Sequence, residues 1–177
     1  MKFQKKVAVT ALFAALAATS LVAQAQTVRI ANQGDALSMD PHSLNESLQL
    51  SVTSNVYEPL VGRNKDLSLA PALATSWKQI APTVWRFELR KGVQFHDGTP
   101  FTADDVVFSF ARMKGDGSDM KATNSDIKQV RKIDDHTVEI DTMAPQPILP
   151  DVITTSYIMS KKSVSYTHLT LPTTPYV

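Results

Sequence analysis

Cysteine is absent from all 177 residues. That excludes structural disulfides, thiolate metal sites and a cysteine nucleophile. It also excludes a lipid-modified N-terminal cysteine, and so a lipoprotein anchor. Glycine is scarce, with six residues, and none forms Gly-x-Gly-x-x-Gly or a Walker loop. Gly-x-Ser-x-Gly and His-Glu-x-x-His are missing as well. The four histidines show no His-x3-His spacing of the kind that gathers a metal. No cluster of lysine and arginine interleaved with aromatics occurs, which argues against a nucleic-acid face. No cofactor and no enzyme activity are expected.

What is present begins with a targeting signal. Met1–Lys6 carries Lys2, Lys5 and Lys6 with no acid, and Val7–Val22 is a run of apolar and small residues. Ala23-Gln24-Ala25 then offers small residues where a signal peptidase reads them. The run is shorter than the roughly 20 residues that span a bilayer. Residues 1–25 are therefore expected to be a signal peptide cut between Ala25 and Gln26, leaving a soluble periplasmic protein. With those residues set aside, 15 basic side chains face 17 acidic ones, a remainder of −2.

Along the rest of the chain, Thr27–Asn32 has a β-branched strand pattern, and Gly34, Asp40 and Pro41 break the loop behind it. Leu48, Val52, Val56, Tyr57 and Leu60 recur near helical spacing, which predicts a helix from Leu48 to Val61 with Asn45 or Ser47 as its cap. Leu67–Ala81 reads as turns and short extended pieces. Thr83–Arg90 alternates as a half-buried strand, followed by turn glycines Gly92 and Gly98. Thr102 is the expected N-cap of a helix, with Asp104 and Asp105 in its first turn and Val106, Val107, Phe110 and Met113 on its buried face. Two strands flank a hairpin tip at Asp134-Asp135-His136. A proline-bounded short helix follows in Pro145–Thr154, and Ser156–Lys162 starts another extended piece.

Several motifs could carry chemistry, and each has a plainer account. His96-Asp97 sits in a glycine turn without a third orienting group. His42 could ligate a metal but has no partner at ligand spacing. Asp104 and Asp105 are adjacent on a helix and point about 100° apart, so capping explains them better than paired carboxylate chemistry. Trp77 and Trp85 could stack a ligand, although core packing accounts for them.

The order of the pieces is more specific than any one of them. Tyr57-Glu58-Pro59-Leu60 is followed by Pro71-Ala72-Leu73-Ala74 and Ser76-Trp77. Then come Trp85, Phe87, Leu89-Arg90, Gly92-Val93 and Phe95-His96-Asp97-Gly98, with Pro100 and Thr102-Ala103-Asp104-Asp105-Val106 closing the run. From Val56 to Met113 this strongly resembles the extracellular solute-binding family 5, the periplasmic peptide, dipeptide, nickel and glutathione receptors of ABC importers. Asp40-Pro41-His42 looks like that family's first loop.

The resemblance implies an α/β fold (α+β in the fragment): the N-terminal part of a bilobal periplasmic-binding-protein fold. A first-lobe strand would be joined by a smaller subdomain, with residues 26–69 opening the first lobe and 70–163 forming the incomplete subdomain. It implies that Leu44, Asn45, Glu46 and Ser47 contact the ligand, a peptide backbone pairing there as an added strand. The expected partners are a peptide or related small solute and the permease subunits of an ABC transporter, with the receptor itself a monomer. A same-fold receptor for nickel or opines, or one feeding a sensor, is the alternative. A secreted hydrolase is a third reading.

Ser163–Val177 fits none of this. It has no helical stripe and no clean strand period. Val164–Thr173 can be encoded by codons resembling a transposon mosaic end and the adapter of tagmentation sequencing libraries. The expectation is a non-native, disordered tail over 164–177, translated from adapter, on a fragment of a longer receptor that is not itself competent to bind.

Overall fold

The computed structural model describes residues 34–166 together with Arg29, Ala31 and Asn32. Those three belong to a first unit, Met1–Gln33, and are exposed and without regular structure. The signal peptide, the Ala25–Gln26 cut, the rest of the strand expected at Thr27–Asn32 and residues 167–177 lie outside the described residues. The second unit, Gly34–Val177, holds all of the regular structure among the described residues.

Its first helix, α1, spans Ser47–Thr53. Two short strands, β1 (Val61–Arg63) and β2 (Leu69–Pro71), pair antiparallel. The main sheet has four antiparallel strands: β3 (Ala74–Ala81), β4 (Val84–Leu89), β5 (Ile127–Asp134) and β6 (Thr137–Thr142), in the order β3-β4-β6-β5. The long helix α2 (Ala103–Met113) connects β4 to β5. The short helix α3 (Leu149–Val152) and α4 (Lys161–Tyr166) follow the sheet.

The alternation in β4 puts Phe87 and Leu89 in the core and leaves Arg86 and Glu88 exposed. On β6, Val138 and Ile140 lie opposite Phe87 and Trp85 in the register. Against this face α2 sets Ala103, Val106, Phe110 and Met113, all buried, at the three-to-four spacing of one helix face. Val107, expected on that face, is only half-buried. Leu60, Val61, Leu73, Leu149, Ile153 and Ile158 complete the same core. Burial of each large apolar side chain contributes about 1.5–3 kcal/mol. Trp77 and Trp85 pack at its margin, and the Trp85 indole N–H donates to the Gln146 carbonyl at 2.9 Å. The other face of the sheet is polar. There Glu139 accepts from Arg86 and from Arg131, each at 2.6 Å, and Arg131 also pairs with Asp141.

Local chemistry explains the turns. The β5–β6 hairpin closes through the His136 N–H, which donates to the Asp134 carboxylate at 2.7 Å. At Asp97 the carboxylate accepts from the N–H and the hydroxyl of Thr99, at 2.9 and 2.6 Å. Gly98 takes φ of +80°, where a side chain would strain the backbone. At the start of α2 the Asp105 carboxylate accepts from the backbone N–H of Thr102 at 2.9 Å. Asp104 instead reaches Lys132 on β5 at 2.7 Å. The two adjacent carboxylates thus serve separate structural roles.

Three elements differ from the sequence reading. Leu67–Ala81, expected as turns and short extended pieces, contains the eight-residue strand β3 of the main sheet. The helix expected from Leu48 to Val61 ends at Thr53. Ser54 and Asn55 turn their side chains back onto the Ser51 carbonyl, and Pro59 forms an isolated bridge with Tyr157. The extended piece expected through Lys162 stops earlier, because Lys161 begins α4, with its backbone N–H donating to the Asp105 carboxylate at 2.9 Å. That helix includes Val164–Tyr166, the first residues of the stretch expected to be a disordered tail.

Candidate functional site

The four residues implied as ligand contacts run from a part-buried clasp into the first turn of α1. The clasp starts from Asp40-Pro41-His42. The His42 N–H donates to the Asp40 carboxylate at 3.0 Å, and the Ser43 hydroxyl donates to the Asp40 carbonyl at 2.9 Å, so the loop is tightly turned. Arg112, in the last turn of α2, reaches across to it. One of its terminal nitrogens donates to the first carboxylate oxygen of Asp40 at 2.9 Å and the other makes a shorter contact with the second oxygen. This is the forked pairing that a planar guanidinium favours.

The same guanidinium lies 2.9 Å from Nδ1 of His42. Arginine can only donate, so Nδ1 accepts and the imidazole proton sits on Nε2. That proton is donated to the Tyr157 carbonyl at 2.9 Å. The His42 carbonyl accepts from the Asp119 N–H and the Ser118 hydroxyl, each at 3.1 Å. The ring is 1% exposed, and both of its nitrogens are satisfied.

The electrostatics follow from this geometry. Burial lowers the His42 pKa and the Arg112 charge adds to the effect, outweighing the Tyr157 hydrogen bond and the Asp40 charge. Burial raises the Asp40 pKa, but hydrogen bonds from Arg112 and from the His42 backbone, with the Arg112 charge, bring it below the usual carboxylate range. Burial pushes the Tyr57 phenol up, with the Asp40 charge second.

From the clasp the chain runs through Leu44, half-buried, and Asn45, Glu46 and Ser47, all exposed. Asn45 donates to the Thr123 hydroxyl at 3.1 Å. Glu46 is extended, with φ −117° and ψ 146°, and caps α1 through its backbone carbonyl rather than its side chain. The cap is thus Glu46 and not the expected Asn45 or Ser47, and Ser47 is the first helical residue. Among the described residues, the backbone groups of Leu44 and Asn45 and the N–H of Glu46 have no hydrogen-bond partner.

A separate half-open groove of about 580 Å³ is lined by Val56, Tyr57, Phe95, Phe101, Ile158 and Ser163, among others, and by none of Leu44–Ser47. Its His96 and Asp97 belong to the turn already described. Among the described residues no group of three His, Asp or Glu is placed to hold a metal ion, and no helix is long and apolar enough to cross a membrane.

Sequence reasoning singled out His42 but missed its partner. Arg112 looks like an ordinary cation in the last turn of a helix, and nothing in its neighbourhood points to a loop 70 residues earlier.

Residues 68–175 match the bacterial extracellular solute-binding proteins, family 5 Middle. The chain is 30% identical over 157 residues to the periplasmic oligopeptide-binding protein OppA of Escherichia coli, a match covering 77% of this chain and 29% of OppA. It is 31% identical over 148 residues to the glutathione-binding protein GsiB of Pectobacterium atrosepticum, covering 82% and 29%. Among solved structures, NikZ from Campylobacter jejuni in complex with Ni(L-His) superposes with a TM-score of 0.69 at 28% identity, over 78% of this chain and 28% of that one. The periplasmic binding protein DppA from Helicobacter pylori, in complex with the peptide STSA, gives 0.65 at 29% identity, over 75% and 30%. The chain therefore spans less than a third of the length of the relatives it matches. Its mixed helix-and-sheet fold is part of the periplasmic-binding-protein fold of these structures. The chain belongs to the bacterial extracellular solute-binding proteins of family 5.

Proposed function

We propose that the protein to which this chain contributes captures a peptide or related small solute in the periplasm and delivers it to an ABC importer, without catalysing a reaction. The observation that carries this reading is the similarity at about 30% identity, over some three quarters of the chain, to oligopeptide- and glutathione-binding proteins. The geometry of Leu44–Glu46 supports it. An extended, exposed segment with unpaired backbone groups can take a ligand backbone as an added strand. Leu44, Asn45, Glu46 and Ser47 are the proposed contacts. The remaining enclosure would come from sequence beyond this chain, so residues 26–163 alone would not hold a ligand.

Export by cleavage between Ala25 and Gln26, a monomeric receptor and permease subunits as partners belong to the same proposal. NikZ carries Ni(L-His) in its complex, which keeps a nickel chelate as the second reading.

The test is native mass spectrometry of the gene's full product purified from periplasm, with the N-terminus sequenced. Co-purifying peptides and a start at Gln26 are expected. A bound metal chelate would move the assignment to the second reading. Turnover of peptide or ester substrates by the pure protein would overturn both.

A further inference from the structure

The forked contact from Arg112 joins two side chains of one loop. One guanidinium ties the carboxylate of Asp40 to the imidazole of His42, and only Ser43 separates His42 from Leu44–Ser47. The same imidazole is pinned on its far side to the Tyr157 carbonyl. The loop is thus held from α2 and from the segment before α4 at once. We propose that Arg112 is the positioning residue for Leu44–Ser47, acting through Asp40 and His42, and that protonation of His42 releases the hold as the pH falls below neutrality. The consequence for ligand capture rests on the proposed role of Leu44–Ser47; the hold itself does not.

The chemistry is one of donors and acceptors. Neutral His42 accepts at Nδ1 and donates at Nε2. A second proton can only go to Nδ1, which turns an acceptor facing the guanidinium at 2.9 Å into a donor bearing like charge. The Asp40 charge offsets only part of this repulsion, because three of its roughly four acceptor positions are already taken. Its oxygens already accept both terminal nitrogens of Arg112 and the His42 backbone N–H. Either Arg112 leaves or the imidazolium does, and in both cases the link between α2 and the loop opens.

Among the described residues, the charged and titratable groups around the ring are few. Asp40 comes from its own loop and Arg112 from α2, with Tyr57 close to that pair and neutral at these pH values. From the segment before α4 and the turn at Ser118-Asp119 come uncharged groups, the Tyr157 carbonyl and the donors to the His42 carbonyl. Because the folded state favours neutral His42, the hold is complete above the ordinary histidine pKa of about 6.5. It is lost as pH falls through the lower folded value. Asp40 stays ionised across that window, its own pKa lying below 3.8.

The test is hydrogen exchange on the gene's full product between pH 7.5 and 4.5, expressed as protection factors so that the intrinsic pH dependence is divided out. Protection of residues 43–49 should fall by up to about tenfold per pH unit, the slope of one proton, while peptides holding Phe87 and Phe110 stay protected. His42→Asn keeps an acceptor for Arg112 and removes the titration, so the slope should vanish. Arg112→Lys cannot fork, and protection should already be low at pH 7.5. A flat profile in the unsubstituted protein overturns the proposal, whether or not either variant folds; so does a slope that survives His42→Asn.

Binding of trialanine, measured by calorimetry over the same range, separates the two readings. A parallel loss of affinity supports both. Loss of protection without loss of affinity keeps the clasp and removes Leu44–Ser47 from the ligand site. Failure of trialanine to bind at any pH counts against the peptide reading, and the exchange data still decide the clasp.

Discussion

Replacing Ser109 with alanine removes one oxygen from the middle of α2 and should cost far more than its size suggests. Ser109 is fully buried. Its hydroxyl donates to the Asp105 carbonyl at 2.7 Å and accepts the backbone N–H of Met159 at 2.9 Å. The Asp105 carbonyl is also a helical backbone acceptor, so losing the first bond leaves no orphan. The Met159 N–H has no other partner among the described residues. Met159 itself is 3% exposed, so water cannot replace the lost acceptor cheaply. An orphaned buried donor costs about 1–3 kcal/mol. Alanine returns roughly 0.5 kcal/mol through its better helix propensity. The net expectation is a loss of about 0.5–2.5 kcal/mol, which raises the open population of this segment roughly 2–70-fold.

Hydrogen exchange read on a peptide covering residues 157–161 would measure it. Ser51→Ala on α1, where the side chain is exposed, is the control and should be neutral or slightly stabilising. Unchanged protection of 157–161 in Ser109→Ala would refute the orphaned-donor argument.

Phe110→Ala empties the centre of the contact between α2 and the sheet, where Phe110 is 1% exposed, and should lower stability by about 3–5 kcal/mol in urea unfolding. Gly98→Ala meets no atom within 4 Å but must adopt φ of +80°, so its cost should be purely conformational, about 1–2 kcal/mol, and visible as a lower unfolding midpoint without a change in slope. Asp97, held by Thr99 first and by Ser163, has its pKa lowered from 3.8 to about 2. Its contribution is present above pH 3.8 and is lost as pH falls towards 2. An NMR titration should place its midpoint near 2, and Asp97→Asn should remove that part of the acid dependence.

The elements that could be read from sequence are those whose causes are local. The alternation of Thr83–Arg90, the Asp134–His136 tip and the start of α2 at Thr102 each depend on side chains a few residues apart, and the structure has all three. The helix after Leu48 failed because its apolar spacing continued past the point where Ser54 and Asn55 fold back on Ser51, and because Pro59 is drawn into a bridge with a strand-like segment 98 positions later. On α2 the apolar stripe was legible, but the burial of Asp105 and Ser109 was not. Their partners are the backbone N–H groups of Lys161 and Met159, which carry no signature in the sequence. The candidate segment Leu44–Ser47 was legible only through resemblance to a family, and its anchor Arg112 was not legible at all.

The bond from His42 to Tyr157 spans 115 positions, and this sets an order of events in folding. The hairpin of β5 and β6 and the helix α2 close short loops and can form early. The Asp40–His42 loop is completed last, because the carbonyl that pins the far side of its imidazole arrives with Tyr157. Closing so long a loop carries an entropic cost that grows with the logarithm of its length, and contacts of this separation form slowly. The segment ahead of α1 can therefore be tethered once Arg112 and Ser118-Asp119 are in place, but its latch is complete only when nearly all of the described chain is available.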